Sequence, residues 1–278
     1  MDDISTEGMG ELERKLVMCL RTGRAALPVL PRVASVALSL ATDPRAKIQD
    51  LARLVDTDPP IAARFLSMTN SVAYWRGYLA ASTQAAIVRL GLANTRDLLF
   101  QVVYAGSTRG LERYQNAVEN CFRRSVMAAV ACKITAEELR IGGEYDYMAG
   151  LLHDIGEARI YRILDDIPKH VKLDQREVRQ LVHRYHCAAG AEVAMAWQLP
   201  SEIVDACAAH HDDMGTRVPH VRLVMIADAL VGILKSAPVR QPLNVDTDEL
   251  GDLGVEPEMA LHLLERTREA VGVVPPRI

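Results

Sequence analysis

Apolar residues along this chain recur at intervals of three and four, and the strict alternation that a half-buried strand requires is nearly absent. Leu12, Leu16, Val17 and Leu20 form one such stripe. Val118, Phe122, Val126, Ala129, Val130 and Ile134 form a longer one. A 3.6-residue period can bury a face only by packing helix on helix, so the pattern predicts an all-α fold. Composition agrees: Ala and Leu are abundant, while aromatic residues make up only 5% of the chain.

Turn and cap chemistry divides the chain. A first amphipathic helix ends near Gly23, and Leu27-Pro28-Val29-Leu30-Pro31 is a stiff entry whose last proline suits a first helical turn. Helices then carry Val33–Leu40, stopped by Asp43-Pro44, and Ile48–Val55. Asp58 is a good N-cap for a helix beginning at Pro59-Pro60, and Ser82 for one that Gly91 ends. Asn94 or Thr95 opens the next. A long helix is expected over Leu111–Leu139, broken by Gly142-Gly143, and shorter ones at 175–187, 188–198, 201–211 and 219–235. Residues 236–254 read as loop, and Glu256–Val271 as a last amphipathic helix. Tyr74-Trp75-Arg76-Gly77-Tyr78 is an aromatic loop, read first as one pinned to the core by its rings and second as a surface for a ligand or partner.

Several function classes recede. The net charge is −4, and the Arg21, Arg24 and Arg32 cluster is sparse, which argues against nucleic acid as a partner. No apolar run reaches the roughly 18 residues of a membrane span. The start, Met1-Asp2-Asp3-Ile4-Ser5, lacks the basic and apolar segments of a secretory signal. Five scattered cysteines without a Cys-x-x-Cys pair read as thiols in a reducing compartment, so a cytoplasmic location is expected.

The segment that looks built for chemistry is Ala149-Gly150-Leu151-Leu152-His153-Asp154-Ile155-Gly156. An imidazole beside a carboxylate offers a divalent cation two ligands from adjacent positions. Burying both after an apolar run costs several kcal/mol unless each is satisfied. Two arrangements satisfy them: a metal pair, or a hydrogen-bonded histidine at a helix end that Asp154-Ile155-Gly156 closes.

Further pieces follow in a definite order and spacing. In the first half these are Leu27-Pro28-x-Leu30-Pro31, Asp56-Thr57-Asp58-Pro59, Arg64-Phe65-Leu66 with Asn70-Ser71, and Ala85-Ala86-Ile87-Val88-Arg89-Leu90-Gly91-Leu92. In the second half they are Gly150–Gly156, His186 with Gly190, Trp197-x-Leu199-Pro200, His210-His211-Asp212 and Ile226-Ala227-Asp228. In order and spacing these pieces, from about residue 27 to 235, resemble the HDOD domain of bacterial signalling proteins, which implies a two-lobed domain over 25–235 (lobes at about 25–110 and 111–235); the N-terminal helix within 1–24 and the loop and helix over 236–278 lie outside the resemblance. The second lobe is similar to metal-dependent phosphohydrolases of the HD superfamily.

Carried over residue by residue, the resemblance makes His153, Asp154 and Asp228 candidate ligands of one cation, and His186 with His210 or His211 candidates for a second. Adjacent helical residues point about 100° apart, so only one of His210 and His211 readily faces a given site. Two departures stand out. Arg124 occupies the place of an upstream histidine ligand, and a guanidinium has no lone pair to give a metal. Glu157 stands where active relatives carry a lysine. Both point to an organic cation, Arg124, in place of a metal, with Asp154 as its partner. The expectation is therefore a non-catalytic regulatory module acting through a protein partner or a small ligand, with no required cofactor and self-association open. The alternative is a phosphohydrolase acting on a nucleotide or cyclic nucleotide through Fe, Mn, Zn or Ni. His170, His183, His220 and His262 belong to no motif and read as ordinary histidines.

Overall fold

A computed structural model describes residues 10–22, 31–42, 47–71, 74, 77–107, 110–212, 218–236 and 246–272. Among these there is no strand, and the regular elements are helices. The first half holds α1 (Glu11–Thr22), α2 (Arg32–Thr42), α3 (Ile48–Asp56), α4 (Pro59–Thr69), α5 (Thr83–Leu90) and α6 (Leu92–Ser107). The second holds α7 (Gln115–Leu139), α8 (Asp146–Leu152), α9 (Ile155–Asp165), α10 (Gln175–Ala196), α11 (Ser201–Ala209), α12 (Pro219–Ser236), α13 (Asp248–Asp252) and α14 (Pro257–Gly272). No helix among the described residues is long and apolar enough to cross a membrane.

The caps expected from sequence form where their chemistry dictates. Asp58 accepts a hydrogen bond from the Ile61 amide with prolines at the first helical positions, and Ser82 accepts from the Ala85 amide. Gly91 ends α5 at φ 77°, a left-handed angle that favours glycine. Other boundaries differ. α6 starts at Leu92, because the Asn94 and Thr95 side chains bond back to the Leu90 and Gly91 carbonyls from inside the helix. α7 starts at Gln115 instead of Leu111, since the amides of Glu112 and Arg113 are captured by the Asp165 carboxylate. Its end is set by Arg140 at φ 53°, ahead of Gly142. The two helices expected at 175–187 and 188–198 are one, α10, in which Gly190 packs against Gly156 of α9. Within the stretch read as loop, Asp248–Asp252 forms the short α13 and buries Leu250. Leu27–Leu30, Asp43-Pro44 and Trp75 lie outside the described residues.

One apolar core runs from α2–α6 (Val33, Leu51, Phe65, Ile87, Leu99) into α7 and α8 (Phe122, Met148, Leu151), so the two halves share it. A second joins α7 to α12 and α14 through Ile134, Leu223, Leu230 and Leu263. The third packs α1 through Leu16 and Leu20 against Ile160, Leu164, Leu181 and Tyr185 of α9 and α10. Both terminal helices therefore dock on the second half. α1 is tied down further by Glu13, which accepts from the Tyr185 hydroxyl at 2.8 Å and from Arg184 at 2.6 Å.

The polar motif residues of the first half hold its loop. The Asn70 amide both accepts from and donates to the Ala80 backbone, and Arg89 donates to the Thr69 and Tyr78 carbonyls. Tyr74 packs against the core as the pinned-loop reading expected. Tyr78 does not: it is 57% exposed, with the Arg89 guanidinium over its ring.

Candidate metal centre

His153 and Asp154 sit in the two-residue joint between α8 and α9. The apolar run before them is buried because α8 threads between α7, α11 and α12. Gly150 lets it do so, since a Cβ there would lie 2.7 Å from the Ala128 carbonyl oxygen. Gly156 does the same for α9 against α10: a Cβ would fall 1.9 Å from the His186 carbonyl oxygen and 2.5 Å from the Gly190 nitrogen. Gly156 was expected to close a helix; it opens α9 and brings His186 up to Asp154.

The structure gathers the candidate residues in one place. His153, Asp154, His186 and His210 are all buried. The Asp154 carboxylate lies at the centre. Its Oδ2 faces His153 Nε2 at 3.4 Å, and His153 Nε2 stands 3.7 Å from Asp228 Oδ1. Its Oδ1 faces His210 Nε2 at 3.3 Å and His186 Nε2 at 3.5 Å. His186 and His210 present their Nε2 atoms to each other at 3.2 Å. His211 is exposed, its ring centroid 4.3 Å from that of His210 and 5.1 Å from that of His186. Buried His210 and exposed His211 thus divide as their helical spacing requires.

The backbone decides the tautomers. The Nδ1 atom of His153 contacts the Gly150 carbonyl at 2.8 Å, that of His186 the His183 carbonyl at 2.8 Å, and that of His210 the Ala206 carbonyl at 2.9 Å. A carbonyl oxygen can only accept, so each Nδ1 carries a proton and each Nε2 of a neutral ring presents a lone pair. His153 Nε2 is fully buried with no hydrogen-bond partner. Two lone pairs facing at 3.2 Å repel unless a proton or a cation lies between them.

Burial opposes charge on these groups, and their neighbours decide the outcome. For His153 the burial penalty is outweighed by Asp154 and Asp228, which hold its pKa well above the usual histidine value. Burial likewise opposes ionisation of Asp154, yet His153 and His210 pull its carboxyl well below the ordinary range. Burial pushes His186 down, and it lowers His211 to about 4 with help from His210 and His186. His186 and His211 are therefore neutral near pH 7 and available as ligands.

These residues fit a metal. His186, His210 and His211 form one group, and His153, Asp154 and His210 another, whose ligand atoms lie within 4.8 Å of one another. Bonds of about 2.0–2.2 Å around one cation put neighbouring ligand atoms roughly 3.0–3.5 Å apart, which is the spacing of the Asp154, His186 and His210 atoms.

Arg124 lies on the Asp154 Oδ2 side. Its Nη2 is 3.3 Å from that oxygen and 2.5 Å from Glu157 Oε2, so Glu157 is the closer partner. The side chain is half-buried, and the two carboxylates raise its already high pKa against the burial penalty. The sequence reading missed two neighbours of the cluster. Cys187 Sγ lies 3.4 Å from His186 Nε2, and the His183 ring stacks 6.1 Å from that of His186. His183 at i−3 from His186 was a signal in principle; Cys187, the next residue in the chain, gave none.

Known proteins resemble this one along most of its length. The family profile of the HDOD domain matches residues 27–213. An HDOD domain protein of unknown function from Geobacter sulfurreducens superposes with a TM-score of 0.67 at 21% identity, over 95% of this chain and 99% of that one. A protein from Shewanella amazonensis SB2B, named as a candidate metal-dependent phosphohydrolase, superposes with a TM-score of 0.69 at 20% identity, over 93% and 98%. In sequence, ribonuclease Y of Syntrophotalea carbinolica is 33% identical over 145 residues, which are 52% of this chain and 24% of that enzyme. The chain thus spans about a quarter of the length of that relative.

Proposed function

Since the chain belongs to the HDOD-domain family, we propose that it is a regulatory module of cytoplasmic signal transduction that binds one divalent cation in its histidine pocket without hydrolysing a phosphoester. The observation that carries this reading is the Arg124 guanidinium bonded to both Asp154 Oδ2 and Glu157. One side of the Asp154 carboxylate is already neutralised by a fixed organic cation. The Glu157 carboxylate adds negative charge beside it, where a hydrolase would receive a phosphate.

The other side of Asp154 remains open to an ion. His186, His210 and Asp154 Oδ1 would hold it, with exposed His211 at the edge. When bound, it supplies a fixed positive charge between facing lone pairs. Those residues belong to α10, α11 and the α8–α9 joint, so occupancy would brace three helical segments against one another. We assign the output to a protein partner or a small ligand, with no role for nucleic acid or membrane. Tyr78 of the aromatic loop, exposed on the first half beside the equally exposed Leu79, is available to it.

The test is metal analysis of the purified full chain together with hydrolysis assays on bis(p-nitrophenyl) phosphate, a cyclic dinucleotide and a short RNA. One Zn, Fe, Mn or Ni per chain and no turnover is the expected result. Turnover that disappears in Asp154→Asn would establish the hydrolase reading instead, in line with the names of the Shewanella and ribonuclease Y relatives.

A further inference from the structure

Cys187 belongs to no motif, yet it stands at the edge of the histidine pocket. Its Sγ is 3.4 Å from His186 Nε2, an atom that also meets His210 Nε2 at 3.2 Å and Asp154 Oδ1 at 3.5 Å. His210 Nε2 and Asp154 Oδ1 close the triangle at 3.3 Å. A tetrahedral zinc with bonds of about 2.3 Å to sulfur and about 2.0–2.1 Å to nitrogen separates its S and N ligand atoms by roughly 3.5 Å, and its N and O ligand atoms by roughly 3.4 Å. The three separations among His186, His210 and Asp154, and the one from the Cys187 sulfur to His186, agree with those figures.

We propose that Cys187 is a ligand of the cation held by His186, His210 and Asp154, making this an N, O and S site selective for a borderline metal such as zinc. The proposal rests on the reading that the pocket binds a cation and goes one step beyond it. Two imidazoles and a carboxylate accept many divalent ions, including Mn; a thiolate shifts preference towards zinc and away from hard ions such as Mg and Mn. When the sulfur binds the metal, the S–H bond breaks, its proton leaves to solvent, and a metal–sulfur bond forms with no change of oxidation state. The other arrangement of the same atoms is a thiol that donates to His186 Nε2 and takes no part in binding. The remaining cysteines differ in setting: Cys207 Sγ is committed to the Leu152 carbonyl, and Cys19 sits on α1 in the core formed with α9 and α10.

The experiment is titration of the metal-stripped full chain with Co(II), followed by absorption spectroscopy. Wild type and Cys19→Ser are expected to show the visible bands of bound cobalt together with an intense thiolate-to-cobalt charge-transfer band in the near ultraviolet. Cys187→Ser is expected to keep the visible bands, lose the charge-transfer band and bind cobalt about tenfold or more weakly. Bound cobalt in the wild type without a charge-transfer band overturns the proposal whether or not the variant folds, and leaves the metal reading standing. A charge-transfer band that persists in Cys187→Ser overturns it as well. No cobalt bound at all overturns both.

Discussion

Replacing Gly156 with alanine tests whether the pocket depends on how closely α9 approaches α10. The added Cβ would lie 1.9 Å from the His186 carbonyl oxygen and 2.5 Å from the Gly190 nitrogen, whereas real Cβ atoms do not come within 3.0 Å of such neighbours. Both obstructing atoms are backbone, so no side chain can swing away, and the helices must part by about 1 Å. Overpacking a core costs about 1–3 kcal/mol, and a clash against two backbone segments belongs at the upper end. For a chain of this size, about 3 kcal/mol lowers the melting temperature by roughly 6–12 °C. The displaced carbonyl belongs to His186, so metal affinity should fall together with stability. Gly232, inside α12, provides the control: a Cβ there meets nothing within 4 Å, and Gly232→Ala should raise stability by up to about 1 kcal/mol. Thermal denaturation of both variants decides the matter. A Gly156→Ala protein that melts with the wild type would show that α9 and α10 do not pack as described and would remove the account of how His186 reaches Asp154.

Other substitutions probe the polar contacts. Arg124→His places an imidazole beside Asp154 Oδ2, His153 and Asp228, and should raise bound metal from one towards two per chain; an unchanged stoichiometry would show that Arg124 is not what closes that side. Arg96 is 1% exposed and bonds Asp97 and both the side chain and carbonyl of Glu144. Arg96→Ala should therefore cost about 3–5 kcal/mol in chemical denaturation, because it strands the Asp97 carboxylate in the interior. The Tyr185 hydroxyl, with Arg184, holds the Glu13 carboxyl below its usual range against the opposing effect of burial. A depressed folded pKa contributes stability that is complete above the unfolded value near 4.5 and is lost as pH falls through the folded value. Glu13→Gln should lower stability by about 1 kcal/mol at pH 7 and by progressively less below pH 4.5; a constant difference at every pH would contradict the charge-based account.

Fold class and most helix positions were legible because they rest on local chemistry. Asp58 and Ser82 cap because a short oxygen side chain precedes a helical phase, and that is written in three or four neighbouring residues. The errors share one cause. Gly156 looks like a helix breaker along the chain, but it is a glycine because α10 passes within touching distance. Leu111 continues the apolar phase of α7, yet the start of that helix is fixed by the Asp165 carboxylate, which is 52 residues from Arg113 in the chain. Tertiary contacts overrule local propensity at these places, and a single sequence does not encode them locally.

The same distinction sharpens the reading of the pocket. Motif spacing was enough to nominate His153, Asp154, His186, His210 and Asp228, and the fold does bring them together. It could not show that one carboxylate divides the cluster, with Oδ2 turned to Arg124 and His153 and Oδ1 to His186 and His210. From sequence, an arginine at a ligand position and a metal are rivals for the same place. In space they face different oxygens of Asp154, and a guanidinium that holds Oδ2 fixes the orientation in which Oδ1 meets the two imidazoles. In the proposed reading, loss of the upstream histidine argues against a second cation and against hydrolysis, while the anchored Nδ1 atoms of His186 and His210 argue for a first cation. In that reading Arg124 supports a one-metal site, where the sequence expectation had it replace the metal.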